Sequence, residues 1–420
     1  MYFLYNFIYI IALVFFFPFE YLKRPKELRG KWLREKFGLF GSRNIQDSNK
    51  GIIWVHAVSV GEVIASIPLL EKLISQYPQK RVILTTITDT GQKVARERAP
   101  DSVQIAYLPF DLAFIIRNVI RKIKPELLIV IETELWPNLL RVFNHMRIPV
   151  LLVNGRISEK SFAGYKKISF FMKKVLSFVD FFSMQSEEYA RRIQTLGVAE
   201  RKVQVLGNFK FDSRPAAQIP EWIKQIQGTV IIAGSTHEGE EDFVTSVYLE
   251  LKKNFPGLNL ILAPRHPERF QGVEEMLRTK GLTFFKRSDL STVNAHHPTL
   301  HGVIILLDTI GELSAIYSIS DIAIIGKSFR GHGGQNPLEP ASWGKTIICG
   351  PHMENFSVMQ EFIKAGAALE VTESNLFSTL RDLLTFPEKA KGIGLKAQQI
   401  YMKNSGAVER TADIISRYIS

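Results

Sequence analysis

Three ionisable side chains sit where a buried strand gives way to a helix or turn, and their types suit proton transfer and charge neutralisation. Trp54-Val55-His56-Ala57-Val58-Ser59-Val60-Gly61-Glu62 reads as a strand running into Gly-Glu at a helix start. Ligands of open α/β sheets bind outside the carboxyl ends of the strands, so Glu62 is a candidate general base. The plainer reading is an acid in the first helical turn, favoured by the helix dipole. That dipole lowers a carboxyl pKa, so a base at Glu62 needs burial or a nearby carboxylate, such as Glu132, to oppose it. Glu132-Thr133-Glu134-Leu135-Trp136-Pro137-Asn138 ends a second strand, and its two carboxylates face the rim of Glu62 if the sheet is parallel. Lys210, in Gly207-Asn208-Phe209-Lys210-Phe211-Asp212, is placed to neutralise a leaving phosphate, or else is simply solvated.

The second half offers donor-type chemistry. Gly331-His332-Gly333-Gly334-Gln335-Asn336-Pro337-Leu338-Glu339-Pro340 is a glycine-rich turn before a helix, which can cradle a phosphate. Asn336 and Glu339 lie one helical turn apart and suit sugar or ribose hydroxyls; the alternative is a capping box variant. Pro264-Arg265 follows a strand end, where an arginine fork can meet a phosphate, or be an ordinary surface arginine. Ile310-Gly311-Glu312 precedes a helix expected to run to Ser320, whose first N–H groups could read a base or phosphate, or simply be capped. Gly326-Lys327-Ser328 mimics the end of a P-loop, but Asp321 stands where that motif requires glycine. The nine histidines show no metal-ligand spacing, and the adjacent His296 and His297 are poorly placed to share an ion. The single cysteine, Cys349, lies in an apolar run and rules out an internal disulfide.

Strands alternating with amphipathic helices must position these residues. Expected strands are Ile52–Ser59, Val82–Thr88, Gln104–Leu108, Leu127–Glu132, Val150–Asn154, Phe181–Gln185 and Val203–Gly207. After a polar, proline-containing break the rhythm restarts with Val230–Gly234, Leu258–Ala263, Thr283–Lys286, Val303–Leu307, Ile322–Ile325, Thr346–Cys349 and Ala368–Val371. This βαβα rhythm predicts two Rossmann-like α/β domains facing a cleft. The boundaries are a first domain at 51–208, a linker at 209–225, a second domain at 226–405 and a closing helix at 406–420. Residues 1–20 form an apolar N-terminal segment just long enough to cross a bilayer, and 21–50 a basic juxtamembrane segment. No charged region precedes the apolar run and no small-residue cleavage site follows it, which favours an uncleaved anchor over a signal peptide. A helix lying in the interface is the alternative. Lys23, Arg24, Lys26, Arg29, Lys31, Arg34 and Lys36 place the following chain in the cytoplasm by the positive-inside rule.

A formal charge of +12 calls for an anionic partner. Nucleic acid is the weakest of the options, because aromatic-basic RNA motifs are missing and the charge forms no tail.

Taken together the motifs resemble the bacterial Kdo (3-deoxy-D-manno-octulosonic acid) transferases, over nearly the whole chain. The likeness rests on HAVSVGE at 56–62, ETELWPN at 132–138, NGRIS at 154–158, GNFKFD at 207–212, APRHPERF at 263–270, GEL at 311–313 and GGQNPLEP at 333–340. It implies a GT-B fold with an N-terminal membrane-anchor helix at the inner membrane. It also implies transfer of Kdo from CMP-Kdo to a lipid A precursor (lipid IVA), with inversion, no cofactor and no catalytic metal. By residue match Glu62 is the base, and Glu132 and Lys210 stabilise the transition state. Pro264, Arg265, Ile310, Gly311, Glu312, Asn336, Pro337, Leu338 and Glu339 form the CMP site. Gln335 stands where the family commonly has His, and Lys327 where Gly is frequent. A rival reading is a membrane-associated GT-B transferase using a UDP-sugar.

Overall fold

Short runs of Ile, Val and Leu, buried on both faces by helices, become parallel strands. In the first half these are β1 Ile52–His56, β2 Arg81–Thr86, β3 Gln104–Tyr107, β4 Pro125–Ile131, β5 Val150–Gly155, β6 Phe181–Met184 and β7 Val203–Val205. The computed structural model describes residues 2–40, 51–212, 219–290, 299–356 and 358–419. The strand order is β3-β2-β1-β4-β5-β6-β7, with every pair parallel. From β1 the chain first builds outward to β2 and β3, then returns to build β4 through β7 on the other side. The crevice at the carboxyl ends of β1 and β4 is therefore the topological switch point, where such sheets take ligands. Both faces are packed: Trp54, Leu128, Val130 and Phe143 on one, Ile53, Val55, Leu70 and Ile129 on the other.

The chain forms two compact units, Met1–Ser213 with Ser405–Ser420, and Arg214–Asn404. The closing helix, Ala407–Ile415, joins the first unit. The Asp212 carboxylate accepts from the N–H groups of Gly406 and Val408, the latter at 2.6 Å, and Arg410 donates to the Leu206 carbonyl. Within 209–225, Phe209–Asp212 and Glu221–Gln225 are 3₁₀ turns.

The second unit repeats the architecture. Its strands are β8 Ile226–Gln227, β9 Val230–Thr236, β10 Asn259–Pro264, β11 Phe284–Lys286, β12 Leu300–His301, β13 Ile304–Leu306, β14 Ile322–Ile325, β15 Thr346–Cys349 and β16 Ala368–Glu370. Seven form a parallel sheet in the order β11-β13-β10-β9-β14-β15-β16, and β8 pairs with β12 alone. The switch point here lies between β9 and β14. The β8–β12 pair was not expected, because two residues each carry no readable periodicity.

Helix α1, Tyr2–Lys23, is long and apolar enough by length and composition to cross a membrane. Its polar side chains bind the first unit. Tyr5 donates to Asp111 Oδ2 at 2.7 Å, Asp111 N–H donates to Tyr9 Oη at 3.0 Å, and Asn138 Nδ2 donates to Asn6 Oδ1 at 2.7 Å. Phe17 and Tyr21 pack on Trp32 of α2, Lys26–Lys36. Phe3, Phe7, Val14, Phe15, Phe16 and Phe19 remain exposed. The basic stretch does not face outward as a whole. Arg24 is buried, lies 4.2 Å from the Trp32 ring and pairs with Asp89 at 3.0 Å. Lys36 is also buried, which pushes its pKa down to about 7.

Candidate functional site

Helix α3, Val60–Gln76, starts where β1 ends, and Ser59 is its N-cap. Ser59 Oγ accepts from Glu62 N–H at 3.4 Å and donates to Glu62 Oε1 at 2.9 Å, while Val58 N–H donates to Glu62 Oε2 at 2.7 Å. Glu62 thus lies in the first helical turn, as the plainer reading held; it also closes a capping box variant and is buried at the sheet rim. Burial raises its pKa, the bonds from Val58 and Ser59 oppose that, and the Glu132 charge raises it further. Both influences needed to offset the helix dipole are therefore present.

Glu132 follows β4 with φ +58, a left-handed conformation costing a non-glycine residue about 1 kcal/mol or more. Its N–H is fixed by the Val153 carbonyl at 2.9 Å. Arg156, just past β5, approaches Glu132 at 3.8 Å. Burial raises the Glu132 pKa, and Arg156 and Lys210 lower it. Lys210 is positioned by its own turn. Asn154 Oδ1 accepts from Phe209 N–H at 3.1 Å, and Asn208 Oδ1 from Lys210 N–H at 3.0 Å. Burial lowers the Lys210 pKa, while Glu132 supports its charge. Glu134 is pushed up to about 7 by burial and then by the Glu62 charge.

The parallel sheet therefore brings Glu62, Glu132, Glu134, Arg156 and Lys210 together within the first unit. A carboxylate of raised pKa beside fixed cations can take a proton from a hydroxyl while an anion is held. The sequence reading assigned no role to Arg156, although its place just past a strand end was the available signal. His56, by contrast, is a core residue of β1. Its Nδ1 lies 3.1 Å from the Thr85 carbonyl, and burial pushes its pKa down to about 3.

In the second unit, Pro264 closes β10 and the exposed Arg265 follows. Asn336 Nδ2 donates to Glu339 Oε1 at 3.2 Å, and Asn336 Oδ1 accepts from Leu338 N–H at 3.1 Å, with Pro337 and Leu338 buried between them. Burial raises the Glu339 pKa, opposed by Asn336 and by the Arg265 charge. Arg265, Asn336 and Glu339 thus form one group. Gln335 Nε2 lies 3.1 Å from His237 Nε2, so the amide engages an imidazole at the end of β9.

Ile310 is exposed and Gly311 adopts φ +93. The Glu312 carboxylate is held by the Arg287 fork at 2.8 and 2.9 Å and by Thr309. Burial would raise its pKa, but these partners hold it below the ordinary value. The helix after Glu312 spans only Leu313–Ile316 before a 3₁₀ turn, shorter than the expected run to Ser320.

At the P-loop mimic, the N–H groups of Lys327, Ser328 and Phe329 all donate to the buried Glu240 carboxylate, at 2.7 to 3.1 Å. A carboxylate fills the nest that a phosphate would need. Lys327 adopts φ +58, the conformation that suits glycine at this position.

His332, His352 and Glu354 offer ligand atoms all within 4.8 Å of one another, although linear spacing gave no sign of it. His296 and His297 lie outside the described residues.

Residues 31–213 match the family model of 3-deoxy-D-manno-octulosonic-acid transferase (kdotransferase). The 3-deoxy-D-manno-octulosonic acid transferase of Haemophilus influenzae is 34% identical over 396 residues, covering 92% of this chain and 91% of its own. That of Aquifex aeolicus is 32% identical over 344 residues, covering 81% and 88%. Among solved structures, MurG of Acinetobacter baumannii superposes with a TM-score of 0.54 at 13% identity, covering 88% of this chain and 99% of its own. At that identity the likeness speaks for the fold alone, and it agrees with the GT-B class expected. Similarity to the two transferases over nearly their full length settles the family: the chain belongs to the 3-deoxy-D-manno-octulosonic acid transferases.

Proposed function

We propose that this chain transfers Kdo from CMP-Kdo to the lipid A precursor lipid IVA, with inversion and release of CMP, in lipopolysaccharide biosynthesis. The observation that carries the proposal is the group of Glu62, Glu132, Arg156 and Lys210 at the switch point of the first sheet. Glu62 takes the proton of an acceptor hydroxyl. The freed oxygen forms a bond to the anomeric carbon, and the bond from that carbon to the CMP phosphate oxygen breaks with its electron pair. Lys210 stabilises the negative charge that develops, and Glu132 keeps Lys210 protonated. Arg265 takes the phosphate, and Asn336 with Glu339 takes ribose or sugar hydroxyls. Pro264, Ile310, Gly311, Pro337 and Leu338 shape the walls. Glu312, held by Arg287, fixes the Gly311 turn rather than offering a free carboxylate. These fixed cations supply the positive charge, so the step is assigned no metal or cofactor.

The acceptor is an acylated, phosphorylated disaccharide. In its favour, exposed Lys160, Lys166, Lys167, Lys173 and Lys174 flank exposed Phe170 in the sequence of the first unit. A cavity of about 310 Å³ between α1 and its docking face has an apolar wall of Leu13, Phe16, Phe17, Phe110 and Trp136 that suits an acyl chain, and Glu20, Arg24 and Lys36 also line it. The polar docking of α1 favours an anchor that lies in the interface at the cytoplasmic face of the inner membrane, with its apolar side in lipid.

The test is transfer from CMP-Kdo, generated in situ, to a tetraacylated lipid A precursor with Mg²⁺-free product analysis by mass. An increase of one or more Kdo units is expected. No increase from folded, membrane-bound protein would overturn the proposal, and competition by UDP rather than CMP would redirect it to a UDP-sugar donor.

A further inference from the structure

We propose that His332, His352 and Glu354 bind a divalent transition-metal ion of the zinc type, at a site distinct from the transfer chemistry and independent of the function proposed above. His332 lies in the loop after β14, and His352 and Glu354 in the loop after β15, the neighbouring parallel strand. Glu354 Oε1 is 3.8 Å from His332 Nδ1 and 3.4 Å from His352 Nδ1. The two imidazole rings are 4.4 Å apart between centroids. Ligands on a tetrahedral Zn²⁺, at bonds of about 2.0–2.2 Å, lie roughly 3.3–3.6 Å from each other. Closure of about 1 Å across the widest pair therefore completes three of four positions.

The cradle is already organised. Gly333 N–H donates to Glu354 Oε2 at 2.7 Å, which orients the carboxylate and leaves Oε1 turned toward both imidazoles. Such an outer bond is the usual support of a ligating carboxylate. Asn355 N–H donates to the Gly333 carbonyl and His352 N–H to the Ser328 carbonyl, each at 3.1 Å, so the two loops meet without the ion. Gly333 has φ +104, a backbone conformation that strains any other residue, and an added Cβ would displace the Asn355 side chain. Two nitrogen donors and one carboxylate select Zn²⁺, Co²⁺ or Ni²⁺ over Mg²⁺ and Ca²⁺, which require oxygen shells. The ion joins the two loops and pins the glycine-rich segment that leads into Gln335 and Asn336.

The test uses the untagged full chain in detergent, stripped with chelator and dialysed, then titrated with ZnCl₂ by calorimetry and with Co²⁺ by visible absorption. One ion per chain is expected, with a Co²⁺ spectrum of four-coordinate type and no heat from Mg²⁺. Zn²⁺ should slow amide exchange at 331–336. His332→Ala and His352→Ala should each weaken Zn²⁺ binding at least tenfold. His332 is exposed, so its variant should melt with the metal-free parent and separate loss of a ligand from loss of fold. Absence of stoichiometric binding to the parent chain, or binding unchanged in both variants, would overturn the proposal.

Discussion

Ser59 and Glu62 grip each other twice: the serine hydroxyl donates to the glutamate carboxylate at 2.9 Å and accepts from the glutamate N–H at 3.4 Å. One pair of residues thus caps α3 and holds the proposed base in place. Glutamine can keep its carbonyl oxygen on the Val58 N–H and turn its amide N–H to the Ser59 hydroxyl, but it cannot take a proton. Glu62→Gln is therefore expected to melt close to the parent while kcat falls by about 10²- to 10³-fold. Parent-like turnover would remove Glu62 from the mechanism.

Ser59 also tunes that base. Its hydroxyl lowers a pKa that burial raises. Ser59→Ala removes a bond to a charged group, worth about 1.5 kcal/mol. Glu62 must be ionised to act in the proposed role, so the acid limb of the kcat/KM profile should move to higher pH. An unmoved limb would show that another group sets it.

Lys210 and Glu132 make a second linked pair. Burial lowers the lysine pKa and Glu132 supports its charge. Lys210→Met should cost about 10²- to 10³-fold in kcat, the usual loss for one charge-stabilising donor. Glu132→Gln should instead move the alkaline limb of kcat to lower pH, because Lys210 then loses its proton earlier. Equal loss at every pH, with no moved limb, would contradict this coupling.

Much of this site was legible in the sequence, because strand ends announce themselves by the change from Ile and Val to Gly, Glu and Asn. Glu62, Glu132 and Lys210 each follow such a change, and a parallel sheet leaves only one rim for them. Other relations were not legible, because they join segments far apart in the chain through side-chain direction. Glu240 reaches the N–H groups of residues 327–329, and Arg287 reaches Glu312. His332 meets His352 only because β14 and β15 are neighbours. In the sequence Arg24 and Lys36 are only two of seven basic residues that set topology. Their burial depends on Trp32 and Phe110, whose positions no local pattern encodes.

Glu134 gives a stability prediction with a definite sign. Its pKa is pushed up to about 7, above the unfolded value near 4.3, so the folded chain holds the proton more tightly. The associated stability is complete below about pH 4 and is lost as pH rises through about 7. Glu134→Gln mimics the protonated form. It should leave stability at pH 4 unchanged and raise it at pH 8, by up to about 3 kcal/mol. An equal effect at both pH values in denaturant titrations would show that the carboxyl titrates normally.

The seating of α1 separates two ways of meeting a membrane. Asp111 accepts from Tyr5 O–H and from the N–H groups of Asn138 and Leu139, at 2.7 to 3.0 Å. A helix fastened to its own domain along this face cannot also place that face in the bilayer core without giving up these bonds. Asp111→Ala should therefore destabilise the chain by about 3 kcal/mol or more, since it strands several buried donors. Phe15→Ser, Phe16→Ser and Phe19→Ser combined should leave melting unchanged and weaken binding to anionic vesicles at least 10²-fold, since each exposed phenyl inserted in lipid contributes about 1.5 kcal/mol or more. Orientation follows from a cysteine at Phe3, because the native Cys349 is buried and silent. In intact spheroplasts an in-plane helix keeps Phe3→Cys on the cytoplasmic side, shielded from a membrane-impermeant thiol reagent. Labelling from outside would mean that α1 leaves its seat and crosses the membrane.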